Sequence, residues 1–174
     1  ETVSWFAMNS TLLSFNYAPN SPQNFSASCR TQKPGRLLAC THVVRSLQQL
    51  KALKALPAAL APIRSVVADL EHPRDLREAV SIGRGHWPEG IWLSGARVTR
   101  PNERWTLDPL IRARPDGFLV RNADQLETLS PLAPCIGDFS LNIANPLAVS
   151  WYREHWGLQR VTASYDLNVQ QLLD

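Results

Sequence analysis

From Arg36 onward, apolar and polar positions alternate in a regular beat of short runs and longer periodic stretches. Compact apolar runs bounded by breakers predict strands over 37–44, 65–70, 90–95, 117–121, 134–141 and 160–164. The intervening stretches predict helices over about 46–60, 73–84, 104–113, 123–130 and 146–156, with a sixth starting near 169. Leu47, Leu50, Leu53 and Leu56 recur every third residue, and Leu76, Ala79 and Val80 at three and four. Leu147, Trp151 and Trp156 give the fifth helix an apolar side. Strands alternating with helices imply parallel pairing through right-handed crossovers, an α/β fold. Six βα units are two short of a closed eight-stranded barrel. An open six-stranded sheet and a partial TIM-like (β/α) barrel of about six units both fit this pattern.

The junctions carry one repeated device. Ser46 precedes Gln49, Asn122 precedes Gln125 and Asn168 precedes Gln171, each by three residues. The short side chain can accept from an unpaired helix N–H while the glutamine reaches back, as in a capping box. Asn145-Pro146 opens the fifth helix and Gly157 marks its end.

Polar residues enter as the strands finish. Ile136, Asp138, Ser140 and Asn142 alternate along one predicted strand, and Thr162, Ser164, Asp166 and Asn168 along the last. Residues two apart share a strand face, and parallel sheets bind ligands at their carboxyl ends. The candidate rim comprises Thr41 and His42, then Asp69 and Glu71, then Ser94 and Arg97. Arg121 and Asn122 follow, then Asp138, Ser140 and Asn142, and finally Ser164, Asp166 and Asn168. Acids, arginines and amides converging on one mouth suit a polar or anionic ligand. Each has a plainer role as well. Asn122 and Asn168 serve first as helix caps, and Asp69 or Asp138 can pair structurally with Arg97 or Arg121. Thr41 can be an interior strand residue, and His42 a satisfied histidine.

Composition changes this picture little. The 174 residues are 44% hydrophobic and carry a net charge of +3, from 18 basic and 15 acidic residues. That is an ordinary core-forming balance, with no basic run and no apolar stretch of the ~20 residues a membrane span needs. Cys29, Cys40 and Cys135 are odd in number and far apart, without metal-ligand spacing, and read as free thiols in a reducing, cytoplasmic setting. Asn9-Ser-Thr and Asn24-Phe-Ser match the glycosylation sequon without a secretory signal beside them. Residues 1–35, rich in breakers, suggest a strand pair and a linker, whereas 36–174 form the repeat. A phosphate loop, a dinucleotide fingerprint, a zinc-protease motif and a nucleophile elbow are all missing.

Three segments carry a resemblance: Arg-Pro-Asp-Gly-Phe-Leu-Val-Arg-Asn (114–122), Gly-Asp-Phe-Ser-Leu-Asn-Ile-Ala-Asn-Pro-Leu (137–147) and Leu-Gln-Arg-Val-Thr-Ala-Ser-Tyr-Asp-Leu-Asn (158–168). Together with Ser-Val-Val-Ala-Asp-Leu-Glu-His-Pro (65–73), this order resembles the collagenase-like peptidase U family of bacteria over residues 36–174. The resemblance implies a TIM-like barrel, with residues 1–35 the remnant of a preceding insert domain. Members are named as peptidases, and several act in oxygen-independent hydroxylation of transfer RNA, ribosomal RNA or quinone precursors through an iron–sulfur cluster. The cluster-bearing segment would follow the sixth strand, so this stretch would hold no cluster ligand and would be a fragment of the enzyme. Glu1 at the start and Gln171-Leu-Leu-Asp at the end fit a chain cut at both sides. RNA or a polypeptide is the implied substrate, with no membrane partner. The alternative from another class is a non-catalytic half-barrel that binds RNA or protein.

Overall fold

The computed structural model describes residues 2–6, 12–16, 40–56, 63–100, 102–168 and 170–171. β1 (Thr2–Phe6) and β2 (Leu12–Asn16) pair antiparallel, with Thr2 opposite Asn16. The segment proposed as a linker, the Pro57 and Pro62 helix stops, Cys29 and both sequon asparagines lie outside the described residues.

The repeat then runs β3 (Cys40–Val44), α1 (Leu47–Lys54), β4 (Ile63–Ala68), α2 (Leu76–Gly83), β5 (Ile91–Ser94) and α3 (Asp108–Ala113). It continues with β6 (Gly117–Val120), α4 (Ala123–Leu129), β7 (Cys135–Gly137), α5 (Pro146–Trp156) and β8 (Arg160–Val161). All six repeat strands are parallel and lie in the order β3-β4-β5-β6-β7-β8. A doubly wound sheet reverses its order partway and places helices on both faces. Here the order never reverses, so every crossover steps the same way and the helices share one face. The sheet curls into a half-barrel. Between the two architectures that fitted the pattern, this one is the partial barrel.

Strand alternation builds two apolar layers. Outward residues such as Val44, Val66, Ile91, Leu93, Phe118 and Val120 pack with Leu50, Leu76, Val80, Leu110 and Leu126 of the helices. Inward residues Val67, Trp92, Leu119 and Ile136, with Val43, form a separate cluster on the concave side. Gly117, paired with Trp92 in register, leaves room for the indole; a Cβ there would run into the ring. Full burial of a side chain of this size contributes roughly 1.5–3 kcal/mol, so the two layers carry most of the fold's stability.

The junction device holds in detail. Ser46 Oγ accepts from Gln49 N at 3.2 Å, Asn122 Oδ1 from Gln125 N at 2.9 Å and Asn168 Oδ1 from Gln171 N at 3.0 Å. At the first two junctions the glutamine reaches one residue further back, to the amides of Arg45 (2.7 Å) and Arg121 (2.8 Å). At the third, Gln171 accepts from Asn168 N itself at 2.9 Å. Asn145 caps α5 through Ala148 N at 2.9 Å, and Gly157 ends it in the left-handed region at φ 64°.

Two expectations need correction. α1 stops at Lys54, and Leu56 beyond it is exposed. On α5, Leu147 and Trp151 face solvent at 82% and 47% exposure. Its core side is Ala148, Val149, Tyr152 and Trp156. Trp156 takes the core side as expected, but Leu147 and Trp151 do not, because apolar residues occur on both sides of α5 and only packing against the sheet selects one.

Candidate functional site

At the carboxyl edge of the concave face, four neighbouring strands end in one linked cluster. Asp69 follows β4, Ser94 closes β5, Arg121 follows β6 and Asp138 follows β7. Each continues its strand's inward alternation, above Val67, Trp92, Leu119 and Ile136 respectively. Arg121 meets Asp69 as a fork, Nη1 donating to Oδ1 at 3.1 Å and Nη2 to Oδ2 at 2.9 Å. Nη1 also donates to the Gly95 carbonyl at 2.9 Å, and Ser94 Oγ donates to Asp69 Oδ1 at 2.7 Å.

Asp138 completes the cluster differently. Its Oδ2 lies 3.4 Å from Arg121 Nε, close enough for ion pairing although that N–H makes no hydrogen bond. Ser140 offers its hydroxyl both to Asp138 Oδ2 and to the Arg121 carbonyl, each at 2.9 Å. Among the described residues nothing claims Asp138 Oδ1, although the residue is only 4% exposed. A buried carboxylate fixed on one oxygen and open on the other can accept a hydrogen bond or a proton from a ligand.

Burial alone would raise the pKa of Asp69. The hydrogen bonds from Arg121 and Ser94, with the positive charges of Arg121 and Arg45, outweigh it and hold the carboxyl below its ordinary value. Beside the cluster lies a cavity of about 370 Å³ lined by Arg45, Asp69, Glu71, Ser94, Thr106 and Arg121 among others. Its apolar wall comes from Leu76 and Leu110.

The other candidates divide. Glu71 is exposed and reaches only the cavity wall. Asn122 caps α4 and donates from Nδ2 to the Arg97 carbonyl at 3.3 Å. Arg97 forms no ion pair among the described residues; its guanidinium lies over Phe139, 4.7 Å from the ring centre. Asp69 and Asp138 therefore share Arg121, and Arg97 is not their partner. Ser164 is buried and donates to Asp166 at 3.2 Å, while Asp166 and Asn168 are exposed. That pair stands apart from the Arg121 cluster.

Three placements overturn the sequence reading. β7 ends at Gly137, and Phe139–Leu141 form a single 3-10 turn with Asn142 left-handed and exposed at φ 53°. Ser140 thus meets Asp138 through a turn and not by strand alternation, and Asn142 is not part of the cluster. Thr41 lies at the amino end of its strand, far from the rim; β3 runs on to Val44. His42 points toward the helices, its Nδ1 buried without a partner among the described residues and its pKa lowered by that burial.

Thr41 belongs instead to a second network at the amino edge, which sequence reasoning missed. Its Oγ1 and Ser65 Oγ are 2.6 Å apart. Arg160 of β8 donates to Thr41 Oγ1 at 2.9 Å and to Ser65 Oγ at 3.3 Å, pairs with Glu89 at 3.2 Å and lies over Trp92. The only available signal was Arg160 at an inward strand position.

The described residues supply no thiolate set for an iron–sulfur cluster. Cys135 packs in the outer layer, and burial pushes its thiol up to about 12. No described helix is long and apolar enough to cross a membrane. The chain matches no protein-family model, no curated protein and no solved structure.

Proposed function

We propose that the chain is the rim-bearing part of a collagenase-like peptidase-family barrel enzyme that binds and hydroxylates RNA without oxygen. The supporting observation is Asp138, a nearly buried carboxylate at the strand-end rim, held by Arg121 and Ser140 with Oδ1 unclaimed among the described residues. In this role Asp138 receives a hydrogen bond or proton from the substrate, Arg121 fixes its orientation and Asp69 fixes Arg121. Proteolysis has less support. The rim serines donate to carboxylates, His42 lies on the opposite face, and the Cys135 thiol is buried and protonated. The reaction needs chemistry beyond these side chains, and the described residues offer no ligand set to hold a cluster.

A non-catalytic binding half-barrel is the second reading. It is favoured by the way Arg121 spends its donors on Asp69 and Gly95 inside the protein. Mass spectrometry of RNA nucleosides from cells with and without the intact gene separates the two. A nucleoside carrying one added oxygen, lost with the gene and with Asp138→Asn, supports the enzyme. An unchanged nucleoside profile with RNA still bound supports the scaffold. Gelatin cleavage by the purified protein would restore the peptidase reading.

A further inference from the structure

We propose that Phe139 and Tyr165, capped by Arg97, form a stacking shelf that seats one base of single-stranded RNA next to Asp138. This rests on the RNA-directed reading of the rim. The three residues come from three connections that all leave the carboxyl edge: the loop after β5, the turn after β7 and the turn after β8. The Arg97 guanidinium covers Phe139, 4.7 Å from its ring centre, and the Tyr165 ring meets Phe139 edge-on at 5.6 Å and 75°. Both contacts lie in the range where cation–π and edge-to-face attraction hold rings in place.

Tyr165 is nonetheless 68% exposed. Burial is the usual reason for an aromatic side chain, and it does not account for this one. A largely exposed ring anchored by an aromatic contact is suited to stacking on a flat partner, and every nucleobase has such a face. Phe139 directly follows Asp138, so a base on the shelf sits beside the open carboxylate oxygen.

Charge favours RNA over an aromatic peptide side chain. Arg97 and Arg100 on the β5–α3 connection are exposed and make no ion pair among the described residues. Arg104, four residues after Arg100, is neutralised by Asp124 and Glu127. A guanidinium without an ion pair at the shelf, with a second on the same connection, suits the phosphates that adjoin a stacked base.

The test is fluorescence anisotropy on the full chain at fixed salt, with labelled oligoadenylate and an abasic ribose-phosphate oligomer of equal length. Tyr165→Ala should weaken oligoadenylate binding about ten-fold, the scale of one lost stacking contact. Tyr165→Phe should bind as the parent does, and the abasic oligomer should bind weakly to all three proteins. Because Tyr165 is exposed, circular dichroism of the variants should be unchanged. If oligoadenylate binds but Tyr165→Ala and the abasic oligomer match the parent values, the shelf is overturned while the RNA reading stands. If the parent chain binds neither oligomer, both are overturned.

Discussion

Two charged networks bracket the apolar layer of the concave face, one at each edge of the sheet, and each is centred on a nearly buried arginine. At the amino edge, Arg160 reaches from β8, the last strand, to Thr41 on β3, the first, and bonds Ser65 and Glu89 on the way. It braces the curl of a sheet whose edge strands are not hydrogen-bonded to each other. At the carboxyl edge, Arg121 links β4, β6 and β7, and Asp138 Oδ1 stays unclaimed among the described residues. The amino network is held by neutral hydroxyls and a shared carboxylate. The carboxyl network sets one guanidinium between two carboxylates. A brace can lose its charge at little cost, whereas a guanidinium that compensates two acids cannot.

That contrast predicts its largest effect at Arg121. Arg121→Met strands Asp69 and Asp138 and should cost about 3–5 kcal/mol in urea unfolding. Arg160→Met leaves Glu89 with Arg64 and Thr41 with Ser65, and should cost nearer 1 kcal/mol. Equal losses from the two would erase the distinction between brace and compensating centre. On sequence grounds Arg121→Ala and Asp138→Ala are expected to impair activity more than folding; the structure adds a folding defect for Arg121.

Asp138→Asn keeps size and polarity while removing the carboxylate. It should lower turnover by about 10²-fold or more, with a smaller stability change than Arg121→Met. A turnover matching the parent protein's would place the reacting group elsewhere.

Asp69 is held below its ordinary value of 3.8, so in the folded state it binds a proton less readily than in the unfolded chain. Its stabilising contribution is full above that value and disappears as pH falls below it through the folded pKa. Acid titration of unfolding should show this loss in the parent protein and a shallower one in Asp69→Asn. Parallel curves would mean that Asp69 is not stabilised by Arg121.

The smallest effect sharpens the picture at the helix starts. Asn122→Ala removes the α4 cap and the bond to the Arg97 carbonyl, and should cost about 1 kcal/mol in thermal or chemical unfolding. Ser46→Ala, which removes a single exposed cap, should cost no more than that.

The α/β class, the strand and helix order and the capping junctions could be read from the chain because they depend on local spacing. Residues two apart, three apart or at a helix start obey geometry that extends only a few residues. Asp69, Arg121 and Asp138 were identifiable as rim residues for the same reason, since each follows an apolar run by one position. The failures have two origins, one a local turn and one the packing of a helix. Ser140 and Asn142 continue the alternation on paper, but the chain turns after Gly137, where a Cβ would press on Leu141. Leu147 and Trp151 are apolar at helical spacing, yet Ala148, Val149 and Tyr152 join Trp156 against the sheet in their place.

By itself, then, the sequence determined which segments become strands or helices and where their polar tips fall, because periodicity and capping are short-range. Tertiary structure alone decided that the sheet curls without reversing, that Arg121 rather than Arg97 joins Asp69 to Asp138, and that Arg160 spans to Thr41. Those pairings cross 52 and 119 positions. Only packing of the two apolar layers fixes which distant side chains share the concave face.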